Sequence, residues 1–554
     1  MIPLKTTNQQ EALIMLSISM NRQSLKRTED WAGIGVTLPK FDLEKVTSKT
    51  ISEPTWLHFG AGNIFRGFVA RLSQDLLNQG LSDTGIIAAD TFDYEIIDRI
   101  YRPFDDLTLM VDLRPDGSTG YEVIGSIAES RKADPSDASE MTRLQEIASF
   151  SSLQMISFTI TEKGYALYDM SGKLLPVVQK DMVEGPSFAR HAMSIVCALL
   201  WKRFQSGAFP LALASMDNCS QNGKKLKDSV LEIATAWEDK GFVSSEFISY
   251  LNDSSKVAFP WSMIDKITPR PDPSVEKMIN DMGITGMSPF TTAKGTFIAP
   301  FVNAEVPQYL VMEDTFPNGR PALEKAGVYM TDRDTVNKAE RMKVTTCLNP
   351  LHTALAVYGC LLGYTRISDE MKDPELVSLI RKIGYDEGLP VVTDPKILNP
   401  EKFLAEVIEE RLPNPFIPDA PQRIATDTSL KVPIRFGETI KSYIADPSLQ
   451  VGSLTYIPLA LAGWLRYLLG IDDKGEPMQL SSDPLLSSLQ EQLKNIRFGD
   501  PSSAKGNADG LLSNASVFGS DLVACGLSTK IESYLAEMIE GPGAVRNTLK
   551  KYLD

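Results

Sequence analysis

Short apolar, β-rich runs alternate with amphipathic stretches through the first half of the chain. Trp56–Phe59 is such a run, followed by Gly60-Ala61-Gly62. After it Ile64, Phe65, Phe68, Val69, Leu72, Leu76 and Leu77 recur at the spacing of one helix face. Gly80 ends that helix, and residues 85–89 read as a buried strand closing on Asp90. Residues 107–113 and 121–127 read as a hairpin turned at Pro115-Asp116-Gly117. Further β-rich runs at 155–161 and 211–216 flank a helical pattern around 187–204. The alternation predicts a mostly parallel sheet with helices on both faces.

From about residue 300 the pattern becomes helical. Residues 334–363, 374–388, 400–412, 426–444, 453–469 and 484–496 carry helix-like periodicity, with Pro and Gly between them. The expected fold class is therefore an α/β Rossmann-like dinucleotide-binding domain followed by a largely α-helical C-terminal domain. The division expected is 1–300, an N-terminal arm plus the nucleotide-binding domain, and 301–554, a mainly helical substrate and catalytic domain. The Gly/Pro stretch at 283–300 reads equally as linker or insertion.

Composition narrows the partners. Lys plus Arg number 56 against 71 Asp plus Glu, a net charge of −15, and no basic run is long enough to make a phosphate-neutralising face. Nucleic acid is set aside. Five cysteines without a CxxC pair fit a reducing compartment. The opening residues lack the order of a secretory signal. The most apolar later window, 456–470, carries Arg466 and is shorter than the ~20 residues a bilayer span needs. A soluble cytoplasmic protein is expected, without a membrane partner. Only three histidines occur, which disfavours a multi-histidine metal centre, although carboxylates alone suit a hard cation; no metal is expected.

Gly60-x-Gly62 between strand and helix permits a tight turn and close approach of backbone N–H groups to a pyrophosphate. The third glycine of the usual pattern is replaced by Phe65, and Gly67 comes two residues later. Alone, the motif reads equally as a structural turn. Asp90 at the end of the next strand strengthens the nucleotide reading, because a carboxylate there accepts ribose hydroxyls and repels a 2′-phosphate, favouring NAD over NADP. Asp90 also reads as a helix N-cap, and the two roles are compatible.

Eight segments in order carry a resemblance. They are GIGVTLPKFDLEKV (33–46), HFGAGNIFRG (58–67), SFTITEKGY (157–165), MDNCSQNG (216–223), FPWSMIDKITP (259–269), QYLVMEDTFPNGRP (308–321), ERMKVTTCLNPLHTALAVYG (340–359) and RIATDTSLKVP (423–433). Together they resemble the mannitol dehydrogenase family of polyol-specific long-chain dehydrogenases, which includes fructuronate and tagaturonate reductases. The last ~80 residues add little to the match. The resemblance implies a metal-independent, NAD-dependent enzyme in which Lys343 is the general acid/base. It further implies that Asn218 and Asn349 polarise the reacting oxygen, His352 orients the substrate, and Glu340 exchanges protons with the lysine. Asp265, Arg423 and Lys431 become substrate contacts. Asn63, Arg66, Thr161 and Glu162 join Gly60, Gly62 and Asp90 as cofactor contacts.

Hydride removal from a secondary alcohol requires a base within hydrogen-bond reach of its hydroxyl. A lysine serves when burial and nearby positive charge lower its pKa. On residues alone, Lys343 in ERMK reads as a solvated helix face, His352 as a core histidine and Asn218 as a turn residue. One spacing departs from the family: Lys343 precedes Asn349 by six residues instead of five. On a regular helix six steps leave the two side chains about 120° apart. Either a π-bulge or kink between Thr345 and Asn349 restores convergence, or a new helix begins with Asn349 as N-cap and Pro350 at its first position.

The expected function is oxidoreduction between a hexonate or hexitol and its keto form, of the fructuronate/mannonate type. The alternatives are a mannitol 2-dehydrogenase and, in another class, a non-catalytic NAD-binding sensor. The expected partner is a polyol or keto-sugar acid. Oligomeric state is not legible, with a lean towards a monomer.

Overall fold

The computed structural model describes residues 17–553. Six strands build a sheet in the N-terminal half: β1 (Trp56–Phe59), β2 (Ile86–Asp90), β3 (Ile127–Lys132), β4 (Met155–Phe158), β5 (Leu211–Ser215) and β6 (Val257–Ala258). All pairings are parallel, in the order β3-β2-β1-β4-β5-β6. Most of these strands are buried throughout, as the unbroken apolar runs require of a sheet covered on both faces. The direction of winding reverses between β1 and β4, and a crevice opens at their carboxyl ends.

The hairpin forms, as Thr108–Leu113 against Thr119–Ile124, with Gly117 at φ 84° in its turn. It lies outside the parallel sheet. Ile127, expected to end the hairpin, instead starts β3. The hairpin is extended by Val36–Thr37 on one side and Phe301–Glu305 on the other, giving a second, four-stranded sheet. A third sheet joins Ser262–Asp265, Tyr309–Glu313 and Tyr329–Thr331. The expected division at 300/301 thus falls where strands still pair with the N-terminal half, and pairing runs on to Thr331. Glycine and proline at 283–300 punctuate short strands there, and long-range pairing leaves no mark in local composition.

Beyond Thr331 the chain is helical. Helix α1 (Arg333–Met342) starts at Asp332, whose carboxylate accepts the Thr335 N–H at 2.9 Å. Helix α2 (Asn349–Leu362) ends at Gly363, φ 82°. The single helix expected over 334–363 is therefore two, joined by a π-turn at Lys343–Cys347. Two further expected helices, 374–388 and 400–412, also pass from α to π geometry, at Lys382–Gly388 and Val407–Arg411. The apolar helix Tyr456–Leu468 is the centre of this domain. Its Arg466 is buried and donates to the carbonyls of Met538, Ile471 and Asp472. The C-terminal segment belongs to the same core, through Ile531, Leu535, Val545 and Leu549. Among the described residues no helix is long and apolar enough to cross a membrane.

Candidate active site

Two loops frame the crevice. After β1, Gly60 adopts φ +107°, and a Cβ there would lie 2.2 Å from the Thr159 carbonyl oxygen, so only glycine fits. Gly62 differs: nothing stands within 4 Å of where its Cβ would be, and the space over the turn is open. Asp90 braces this turn by accepting the Ala61 N–H at 3.0 Å with one oxygen. With the other it accepts the Phe92 and Asp93 N–H groups, each at 2.7 Å. Burial pushes its pKa up. The carboxylate thus closes the turn ahead of the next helix, whose capping position is Asp93 and not Asp90, and ties β2 to the glycine turn.

After β4, Thr161 sits in the left-handed region at φ 64°, costly for a β-branched residue. Asp217 holds it there, accepting the N–H groups of Ile160 (3.0 Å) and Thr161 (2.9 Å) and the Tyr165 hydroxyl (2.5 Å).

Lys343 reaches this region from the helical domain. It is 2% exposed, and its Nζ donates to Asn218 Oδ1 at 2.9 Å and to the Ile264 carbonyl at 3.0 Å. Burial lowers its pKa below the usual lysine value; Asp265 works against the shift and Arg411 with it. Leu348, at φ −129° and ψ −62°, breaks the chain after the π-turn, and its N–H bonds to the Lys343 carbonyl at 3.1 Å. The π-turn and a helix restart therefore occur together. Asn349 is the first residue of α2, with Leu348 in the capping position.

A cavity of about 590 Å³ lies between the domains. Thr161, Glu162, Asn218 and Asp265 line it from one side; Asn349, His352 and Arg423 line it from the other. His352 is half-buried, and the desolvation of its ring drives its pKa down to about 4 and keeps it neutral. Its Nε2 lies 3.5 Å from Asp419 Oδ2 and has no hydrogen-bond partner among the described residues, so the pair is an ion pair only if the ring is protonated. Asp419 is instead engaged by Arg423. Glu162 is paired with Lys225 at the rim.

Other expected residues take different places. Arg66 is fully buried and donates to the Ala299 carbonyl (2.9 Å) and Asn63 Oδ1 (2.8 Å), tying the glycine turn to the neighbouring chain instead of lining the cavity. Asn63 in turn donates to the Pro269 carbonyl at 3.3 Å. The Lys431 ammonium donates to the Ile424 carbonyl at 2.9 Å and to that of Thr426, stabilising the turn behind Arg423. Glu340 is half-buried, with no hydrogen bond to Lys343 among the described residues.

Two arginines that sequence reasoning missed also line the cavity. Arg411 is 2% exposed at its side chain and is held by Asp265 (2.5 and 3.2 Å) and Glu305 (2.9 and 3.0 Å). It follows Glu409 and Glu410 in sequence, and nothing local marks it as buried. Arg435 lies on the cavity wall four residues after Lys431, just past the RIATDTSLKVP segment. That position, one helical turn on, was the available signal.

Two family models cover most of the chain: the mannitol dehydrogenase Rossmann domain over residues 54–325 and the mannitol dehydrogenase C-terminal domain over 335–538. The chain belongs to the mannitol dehydrogenase family. A D-mannonate oxidoreductase of Thermotoga maritima is 53% identical over 534 residues, 96% of this chain and 98% of the relative. In structure, Pseudomonas fluorescens mannitol 2-dehydrogenase, solved as a ternary complex with NAD and D-mannitol, matches with TM-score 0.67 and 26% identity. That match covers 96% of this chain and 99% of the other. A D-sorbitol dehydrogenase in substrate-free form matches with TM-score 0.75 and 25% identity over 91% and 97% of the two chains. Family membership accounts for the ordered segments and for a strand order suited to a dinucleotide. Among the described residues no group of three or more His, Cys, Asp and Glu is placed to hold a metal ion.

Proposed function

We propose that this chain is an NAD-dependent oxidoreductase interconverting D-mannonate and its keto form, D-fructuronate, with Lys343 as general acid/base. The observation carrying the reading is the buried Lys343 amine bonded to Asn218 across the domain junction, at a cavity beside the β1/β4 crevice. Identity of 53% to a D-mannonate oxidoreductase over nearly the whole of both chains supports the choice of substrate.

The residues present fit a dinucleotide. The open space over Gly62 leaves room for a pyrophosphate against backbone N–H groups, and Thr161 and Glu162 face the same crevice. Bound there, NAD supplies the hydride acceptor. The chain's own groups handle the proton. In the oxidising direction a neutral Lys343 amine takes the hydroxyl proton of the substrate, and burial raises the neutral fraction. Asn218 accepts from Lys343 through Oδ1, leaving its N–H groups for the oxygen that gains charge; Asn349 lines the cavity to do the same. His352, neutral, offers a hydrogen bond without adding charge. Glu340 acts on the amine through its field alone.

Purified protein with NADH and a panel of fructuronate, tagaturonate and fructose tests the proposal. Fructuronate should be reduced with the highest kcat/KM. Preference for fructose would replace it with a mannitol 2-dehydrogenase, and no turnover of any ketose or keto-acid with NADH or NADPH would favour the sensor.

A further inference from the structure

The basic groups around the cavity differ in how their charge is matched. Arg411 is held by Asp265 and Glu305, and Arg423 by Asp419. Arg435 has no carboxylate within 4.0 Å among the described residues. Its hydrogen bonds run from one nitrogen only: Nη1 donates to Thr353 Oγ1 at 2.6 Å and, weakly, to the Asn349 carbonyl at 3.5 Å. Nε and Nη2 find no acceptor among the described residues. Burial pushes the pKa of this guanidinium down to about 10, leaving it charged at neutral pH.

A partly desolvated cation without a counter-charge is costly to keep. A guanidinium that lines a cavity with Nε and Nη2 free can also take a carboxylate in bidentate fashion. Its anchor on Thr353, with the weak contact to the Asn349 carbonyl, sets the fork beside a residue that, in the proposed reaction, faces the reacting oxygen. A sugar acid carries its carboxylate at the chain end, within one sugar length of the reacting carbon. We infer that Arg435 binds the substrate carboxylate and makes this site select a sugar acid over a neutral polyol.

The alternatives are weaker. Arg423 is 64% exposed at its side chain and already engaged by Asp419. Lys266 also lines the cavity, but its ammonium donates to Gln308 at 3.0 Å, and burial lowers its pKa to about 8, leaving a partly neutral amine.

The inference rests on the proposed sugar-acid reading, and the test separates the two. Arg435→Leu and Arg435→Lys are compared with the parent for reduction of fructuronate and of fructose by NADH, alongside thermal midpoints. For Arg435→Leu the KM for fructuronate should rise roughly 10- to 100-fold, with kcat and the fructose reaction within about threefold of the parent. Arg435→Lys should recover part of the loss, because a point charge replaces a fork. Equal losses on both substrates, or unchanged KM for fructuronate, overturn the inference while leaving the reaction assignment standing. A parent that reduces only fructose overturns both. Calorimetric titration of the parent and Arg435→Leu with mannonate and with mannitol reads the site without turnover. Mannonate binding weakened selectively in the variant supports the inference, and equal affinity of the two proteins for mannonate overturns it.

Discussion

On the wall formed by the parallel sheet, acidic side chains spend their oxygens on backbone N–H groups: Asp90 on Ala61, Phe92 and Asp93, and Asp217 on Ile160 and Thr161. On the helical wall, side chains themselves face the cavity, and most of the charges are basic: Arg411, Arg423 and Arg435, with neutral His352 among them. The first wall is shaped by backbone conformation, which suits a group that never varies, such as a dinucleotide. The second is shaped by side-chain choice, which suits a substrate that differs between relatives. Lys343 belongs to the second wall by sequence and to the first by its hydrogen bonds.

The strongest way to break this division is to remove the group that joins the walls. For Lys343→Ala, kcat should fall by roughly 10²- to 10⁴-fold in either direction. NADH binding, followed by quenching or enhancement of its fluorescence, should stay within about threefold, since the nucleotide wall is intact. Unchanged turnover would remove Lys343 from the chemistry.

Next in size is Gly60→Ala. Its positive φ and the 2.2 Å approach of a Cβ to Thr159 require the β1 turn to move. A loss of about 3 kcal/mol or more in unfolding free energy is expected, measured by urea titration, with weakened NADH binding in the fraction still folded. Gly62→Ala, with open space around its Cβ, should be nearly neutral for stability while still weakening NADH binding. Equal destabilisation by the two would show that the turn is not divided into a braced and an open position.

The sheet wall was largely legible in the sequence because period and strand length are local signals. Trp56–Phe59 and the run ending at Asp90 announced themselves, and the glycine turn followed. What escaped was long-range: Ile127 joining β3, and Phe301–Glu305 pairing with the hairpin across nearly two hundred residues of chain. On the helical wall the six-residue spacing from Lys343 to Asn349 foretold a distortion, because a regular helix cannot aim both inward. The π-turns at Lys382–Gly388 and Val407–Arg411 carried no such arithmetic and were read as plain helix. Arg411 and Arg435 escaped because a buried arginine and a surface one look alike in sequence until their partners are known.

A third test sharpens the electrostatic contrast. Asp265 raises the Lys343 pKa against the lowering effects of burial and Arg411. In Asp265→Asn that support is lost, so the Lys343 pKa drops further. Oxidation needs the neutral amine and rises with pH through this pKa; its acid limb should therefore move to lower pH. Reduction needs the protonated amine, and its decline at high pH should begin earlier. Arg411 keeps Glu305, so the cost in stability should be about 2 kcal/mol. pH profiles of kcat in both directions check the sign, and a shift to higher pH would contradict it.

The smallest effect is expected at Lys431, where structure and family resemblance give different expectations. Its ammonium bonds to the Ile424 and Thr426 carbonyls, so Lys431→Met should loosen the turn carrying Arg423 and cost about 1 kcal/mol. The KM for fructuronate should then rise only about two- to threefold, because Arg423 shifts without leaving the cavity. A residue in direct contact with the substrate would lose more: one charge-assisted hydrogen bond is worth roughly tenfold or greater. A tenfold rise in KM with an unchanged thermal midpoint would therefore place the Lys431 side chain on the substrate and off the two carbonyls. A small rise in KM with a lowered midpoint leaves it as the prop behind Arg423.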